Sequence, residues 1–268
     1  MNKPVFSRDH QLFLNKQKRH NVFVIVCQIA FLVIFLALWE GLTLLGIVDG
    51  FIASSPSRVI KTFLELCANG SIFTHVWAST WETVVGFVVG TILGTLFAVI
   101  LWWNDTLKEI FEPYLVVLNS LPKIALGPLI IIWVGTGKAS IITMAVLISV
   151  VITTITMLTG FVETDKDKLL LMRSFNANKW QIFSKLVFPS NVATLLATLK
   201  INVGMSWVGT ITGEYLVSRE GLGYLIVYGS QVLRLDLVMT CTIVLCVLAG
   251  AMYGFVAIIE KQFTNQSK

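Results

Sequence analysis

The sequence is poor in charge. Asp, Glu, Lys and Arg make up 13% of its 268 residues, against 56% hydrophobic residues. So few polar side chains cannot cover the surface of a soluble domain of this length, and a soluble globular protein is excluded. Cysteine is sparse as well. Cys27, Cys67, Cys241 and Cys246 form no CxxC pair, and three of them fall in apolar runs, where cysteine behaves as a small hydrophobe. Neither a disulfide nor a metal site is expected. His10, His20 and His75 lie outside the interiors of those runs and match no ligand spacing. There is no Walker motif. The nearest approach, Trp133-Val134-Gly135-Thr136-Gly137-Lys138-Ala139-Ser140, has Ile132 where the first glycine belongs and Ala139 after the lysine, so it reads as a tight turn. No catalytic constellation, cofactor-binding residue or metal ligand emerges, and no enzyme activity is expected of this chain alone.

Long apolar runs are what the sequence does have, and the mean hydropathy is +0.81. A helix crossing a hydrocarbon core of about 30 Å needs roughly 20 apolar residues. Six runs meet that length, at about residues 22–45, 77–103, 113–134, 139–162, 192–211 and 237–259. The fold class is therefore an all-α membrane protein with six transmembrane helices. Residues 1–20 read as a basic cytoplasmic tail, mobile or interfacial, and residues 21–268 as one membrane domain. The first run exceeds a signal-peptide core and no A-x-A site follows it, so an uncleaved span is expected.

Charge placement orients the bundle. With the N-terminus inside, the inner segments hold 13 of the 20 Lys and Arg residues and the outer segments 5, leaving Lys123 and Lys200 within spans. The positive-inside rule favours this arrangement, with both termini cytoplasmic. Topology also explains the basic excess better than nucleic acid does, since no basic–aromatic interleaving is present.

Along the chain, Ser54-Ser55-Pro56-Ser57 looks like a helix start, with Ser55 as cap. The residues after it suit an amphipathic helix on the outer surface. Gly86, Gly90 and Gly94 form a stripe where another helix can approach closely, and Gly250 and Gly254 repeat the device. The third span carries Pro122, Lys123 and Pro128, which should distort the helix, and distorted backbone at membrane depth belongs against protein or a wet cavity. Asn202, Ser206, Trp207, Thr210 and Glu214, with Lys200, give the fifth span the most polar face. Together with Pro122, Lys123 and Pro128 it is the candidate wall of a translocation pathway, the other reading of this face being hydrogen bonding between helices. Arg219–Asp236 reads as a long outer loop.

The longest inner polar interruption spans residues 163–190. Two helices are predicted in it, Lys168–Phe175 and Lys179–Phe188, joined at Asn176-Ala177-Asn178, since asparagine tolerates the left-handed conformation that ends a helix. Pro189 marks the start of the fifth span. Leu171, Met172, Arg173, Ser174, Phe175, Asn176, Ala177, Lys179 and Trp180 put apolar anchors beside positive charge, which suits docking into a groove on a partner.

This segment resembles the EAA loop of ABC importer permeases, as Met-Arg-Ser-Phe-Asn-Ala followed at a fixed interval by Val-Phe-Pro. Met172 and Asn176 depart from the family pattern, which has a glycine at the position of Asn176. The likeness extends through Ser54–Ser57, the proline-broken third span, Trp133 with Gly135 and Gly137, and Gly221-Leu222-Gly223. It covers nearly the whole chain and is closest to the nitrate, sulfonate and taurine branch of type I binding-protein-dependent permeases, which also serves pyrimidine and riboflavin precursors. The resemblance implies a bacterial inner-membrane permease with a second permease subunit, expected to be an identical copy. It implies a cytoplasmic ABC ATPase dimer that binds ATP and Mg, and an extracytoplasmic solute-binding protein. The cargo would be a small anion or a cofactor precursor, moved by alternating access. Lys123 and Lys200 faintly suggest an anion. An ion-coupled secondary transporter is the alternative, but no internal repeat supports it. A membrane scaffold without transport fits the broken third span poorly.

Overall fold

The computed structural model describes residues 8–266, which are helical almost throughout, with no strand among them. Helix α1 (Arg8–Leu44) starts before the first apolar run, so residues 8–20 of the expected tail are helical and continuous with the first span. Residues 1–7, with Lys3, and Lys268 lie outside the described residues. A short α2 (Gly50–Ala53) leads into α3 (Pro56–Ala68). Pro56 fills the first turn of α3, and the Ser55 hydroxyl accepts from the Arg58 amide at 3.4 Å. Glu40 accepts from the Ser57 amide at 3.0 Å and from its hydroxyl at 2.7 Å, fastening the outer end of α1 to α3. The apolar run of α1 is otherwise uncovered by its own chain.

Helix α4 (Ser71–Trp103) forms the second span, and α5 (Asp105–Ser120) turns back from it. The third span is broken, as its prolines predict, but it begins earlier than the expected residue 113. It starts at Asp105, contains Pro113 within α5, and breaks at Pro122. A residue before proline is pushed out of the helical region, and Leu121 is extended at φ −64°, ψ 137°. A 3₁₀ turn, Lys123–Leu126, and α6 (Gly127–Val134) complete the span at 92° to α5. Gly135 and Gly137, both at positive φ, make the tight turn into α7 (Lys138–Val162).

The inner segment holds α8 (Lys166–Ser174), α9 (Lys179–Ile182), a π-helical turn at Phe183–Val187 and α10 (Phe188–Ser190). Then come α11 (Val192–Val217), α12 (Leu222–Gln231) and α13 (Leu235–Gln266). Among the described residues five helices are long and apolar enough to cross a membrane, and the bent pair, counted as one span, brings the number to six.

Helix α7 is the centre of the bundle, between α4 and α11. On one side Gly86, Gly90 and Gly94 of α4 meet Ala145, Ser149 and Thr153 of α7. A Cβ at Gly90 would lie 2.6 Å from that of Ser149, and one at Gly94 would lie 2.5 Å from that of Thr153. On the other side Gly209 and Gly213 of α11 meet Ala145 and Ile141. The expected stripe of Gly250 and Gly254 behaves differently. A Cβ at either meets nothing within 4 Å, so these glycines face away from their own chain's helices.

Arg219–Asp236 is also no simple loop, since its middle folds as α12. Leu222 and Leu225 are buried there against Ile72, Leu237 and Cys241. That burial supplies the stabilisation that so short a helix lacks alone.

Candidate functional site

The polar face of α11 lies inside the bundle. Asn202 is fully buried, and its Nδ2 donates to Thr91 Oγ1 of α4 at 2.9 Å and to Thr153 Oγ1 of α7 at 2.6 Å. The Ser206 and Ser149 hydroxyls pair at 2.9 Å. Thr210 and Trp207 are buried beside them. In a membrane such bonds between helices are worth about 0.6 kcal/mol each, and here they fasten three spans together. Asn202 and Ser206 therefore bond neighbouring helices, while the Trp207 indole N–H and the Thr210 hydroxyl are buried with no hydrogen-bond partner among the described residues. Lys200 is likewise engaged, with Nζ 2.7 Å from Glu260 of α13, so it offers no free charge to an anion. Lys123 lies apart from this face, half-buried on the bent span, and donates to the Asn119 carbonyl at 3.3 Å. Pro122 and Pro128 frame its turn.

Glu214 closes the outer end of α11. It is 1% exposed, accepting from Ser79 Oγ of α4 and from the Gly223 amide at 2.6 Å each. The Leu222 amide donates to Ser79 Oγ at 2.8 Å, and the Gly221 amide to His75 Nδ1 at 2.9 Å. Glu214 thus does the work of a capping side chain at the start of α12. A side chain at Gly221 would strike the Glu214 carboxylate, which accounts for the Gly221-Leu222-Gly223 motif.

At the inner end, most of the residues expected to dock a partner cluster on α8, α9 and the turn between them, whereas Met172 and Ala177 pack against the core. Asp165 caps α8, accepting from the amides of Asp167 at 2.9 Å and Lys168 at 3.3 Å. The amides of Lys168 and Asp167 hold its carboxyl below the usual carboxylate range. Leu169 and Met172 turn toward the core, while Leu170, Leu171, Arg173, Ser174 and Phe175 face outward, Phe175 at 76% exposure. Asn176 takes φ +58°, and its amide and that of Ala177 donate to the Arg173 and Met172 carbonyls. This is the left-handed helix end that asparagine tolerates. Asn178 and Gln181 then form a reciprocal capping box that starts α9.

Two contacts tie this surface to the spans. Lys179 Nζ donates to the Trp103 carbonyl at the end of α4 at 2.6 Å and lies 5.8 Å from the ring centroid of Trp102. Trp180 packs on Trp103 and Phe183, and Phe183 packs on Trp102, Phe161 and Phe188. Pro189 is set apart from the surface, where the wide π turn lets the chain pass into α11. Sequence reasoning omitted Leu170, although it stands in the triple-leucine run. It also omitted Trp102 and Trp103, whose pairing at the end of the second span was the available signal.

Asn176 offers a direct check on this geometry. Asn176→Gly is expected to hold or raise local stability by up to about 1 kcal/mol, and Asn176→Val to lower it by about 1–2 kcal/mol. Amide exchange at Phe175–Ala177 reads the difference, and equal exchange in both variants would contradict the left-handed turn.

The sequence matches the family described as "Binding-protein-dependent transport system inner membrane component" over residues 86–265. The Bacillus subtilis permease protein SsuC, named for aliphatic sulfonate transport, is 25% identical over 229 residues, covering 85% of this chain and 83% of its own. ThiX of Halalkalibacterium halodurans, named a formylaminopyrimidine transport permease protein, is 28% identical, with 72% and 77% covered. A bacterial alginate ABC transporter, solved with its alginate-bound periplasmic protein, has a chain of similar fold. It aligns with a TM-score of 0.63 and 13% identity over 92% of this chain and 97% of that one. With most of its length inside the family match, its six crossings and its all-helical bundle, this chain belongs to the binding-protein-dependent transport inner-membrane components, as a membrane-spanning permease subunit of a bacterial ABC importer.

Proposed function

We propose that α8 is the coupling helix that receives the stroke of a cytoplasmic ATPase. The observation that carries this is an exposed apolar patch on a rigid mount. Leu170, Leu171 and Phe175 are left exposed by the described residues, yet α8 is capped at one end and followed by a segment bonded to α4 at Trp103. A partner that grips Phe175 can therefore move α4, and α4 is packed along α7. ATP and Mg belong to that partner.

A second copy of this chain would face it across the pathway, and an extracytoplasmic solute-binding protein would deliver cargo. The alginate transporter was solved with a periplasmic protein, which supports that part of the assembly. The cargo proposed is a small organic or inorganic anion, such as a sulfonate, taurine or nitrate, or a cofactor precursor. The names of SsuC and ThiX support those two classes. Pro122, Lys123 and Pro128 on the bent span are proposed as pathway wall. The α11 residues Asn202, Ser206, Trp207, Thr210 and Glu214 would reach it only when the spans move apart.

The test is reconstitution of the chain with its ATPase and binding protein in liposomes. Uptake is expected to require ATP and to be indifferent to collapse of proton and sodium gradients. Gradient-driven uptake without ATP would overturn the proposal.

A further inference from the structure

At the outer end of the bundle, a cleft of about 480 Å³ lies between α4, the α6–α7 turn and the segment linking α11 to α12. That volume is within the range of small-molecule sites. Its walls carry two unlike kinds of charge.

Glu82 of α4 lines the cleft. It is 1% exposed, and its Oε2 is buried with no hydrogen-bond partner among the described residues. Nearby Glu214 is already satisfied by Ser79 and Gly223 and adds only negative potential. A buried carboxylate oxygen without a donor is costly and calls for a cation or a hydrogen-bond donor.

The same cleft, which Glu220 also lines, carries groups suited to an anion. Helix α7 starts there at Gly137 and Lys138 with no side-chain cap, so the first amides of a 25-residue helix are unpaid by the chain itself. Lys138 is held only by an exposed, long contact of 3.8 Å to Glu220. Arg219 also lines the cleft and has no ion pair among the described residues.

We propose that this cleft is a subsite for a small dipolar solute, whose amine lies on Glu82 and whose acid group lies at the α7 N-terminus beside Lys138 and Arg219. The inference rests on the permease reading above and narrows the solute class to amine-bearing acids.

The test uses the full chain in lipid nanodiscs without ATPase, and three two-carbon probes: 2-aminoethanesulfonate, ethanesulfonate and ethylammonium. Ligand-observed NMR or calorimetry is expected to show 2-aminoethanesulfonate binding about tenfold more tightly than either of the others, as two charge-assisted contacts should exceed one. Glu82→Gln should remove that advantage and leave ethanesulfonate binding unchanged, whereas Arg219→Ala should weaken both sulfonates. Equal binding of the three probes by the unaltered chain, or no saturable binding of 2-aminoethanesulfonate, would overturn the subsite. So would a folded Glu82→Gln chain that keeps the preference. Reconstituted ATP-driven uptake is measured separately. Its absence with the preference intact would count against the permease reading alone, and its presence without the preference would count against the subsite alone.

Discussion

Phe175→Asp is expected to abolish ATP-driven uptake while leaving the chain folded in the membrane. The ring is 76% exposed and supports no core cluster of its own chain, so its loss has little effect on folding. In the assembled transporter it would sit in a groove on the ATPase. Burying a full aromatic side chain contributes about 1.5–3 kcal/mol, and forcing an unpaired carboxylate into the same groove costs several kcal/mol more. The combined loss corresponds to at least about 100-fold in affinity, enough to separate the two subunits at ordinary concentrations. Phe175→Leu is the control and should retain most of the coupling. The measurements are copurification of the ATPase and solute uptake in liposomes. Normal uptake by Phe175→Asp would remove α8 from the coupling role.

Some of this architecture could be read from residues alone, because the causes are local. Membrane thickness sets the length of an apolar run, so the six crossings were legible. Pro122 restricts the residue before it, so a break was legible, but not its angle of 92°, which depends on how α6 seats against α7. Asn176 announced the left-handed turn because one side chain decides it. The same holds for Ser55 and Pro56 at the start of α3.

What was not legible depends on partners far along the chain. Helix α12 was read as loop because its cap comes from Glu214 and its cover from Ile72 and Cys241. The polar face of α11 was recognised as facing inward, yet spacing along one helix does not tell a pathway from a neighbouring span. Thr91 and Thr153, which accept from Asn202, lie on two other helices. Gly250 and Gly254 show the converse. Their spacing equals that of Gly86, Gly90 and Gly94, but only the latter have a helix against them.

That difference makes the second large prediction, which concerns Gly209. Helix propensity alone favours alanine over glycine by about 1 kcal/mol. Packing opposes it. A Cβ at Gly209 would lie 2.5 Å from the Ala145 Cα and 2.9 Å from its nitrogen, against a comfortable separation of about 3.5–4.0 Å. The obstacle is α7 backbone, which cannot rotate away as a side chain can, and Gly86 of α4 presses on the same alanine from the far side. Helix α11 must therefore move outward by roughly 1 Å, an overpacking cost of about 1–3 kcal/mol. That shift stretches the Ser149–Ser206 pair and the bond from Asn202 to Thr153, each worth about 0.6 kcal/mol. The net loss outweighs the propensity gain. Gly209→Val, which adds two methyl groups beyond the Cβ against the same backbone, is expected to lower the melting temperature in detergent by roughly 5–10 °C, with Gly209→Ala shifting it less. Gly250→Ala gains the propensity and meets no neighbour among the described residues, so it should melt no lower than the parent. If Gly209→Val melted with the parent while Gly250→Ala fell, α13 rather than α11 would hold the close helix contact.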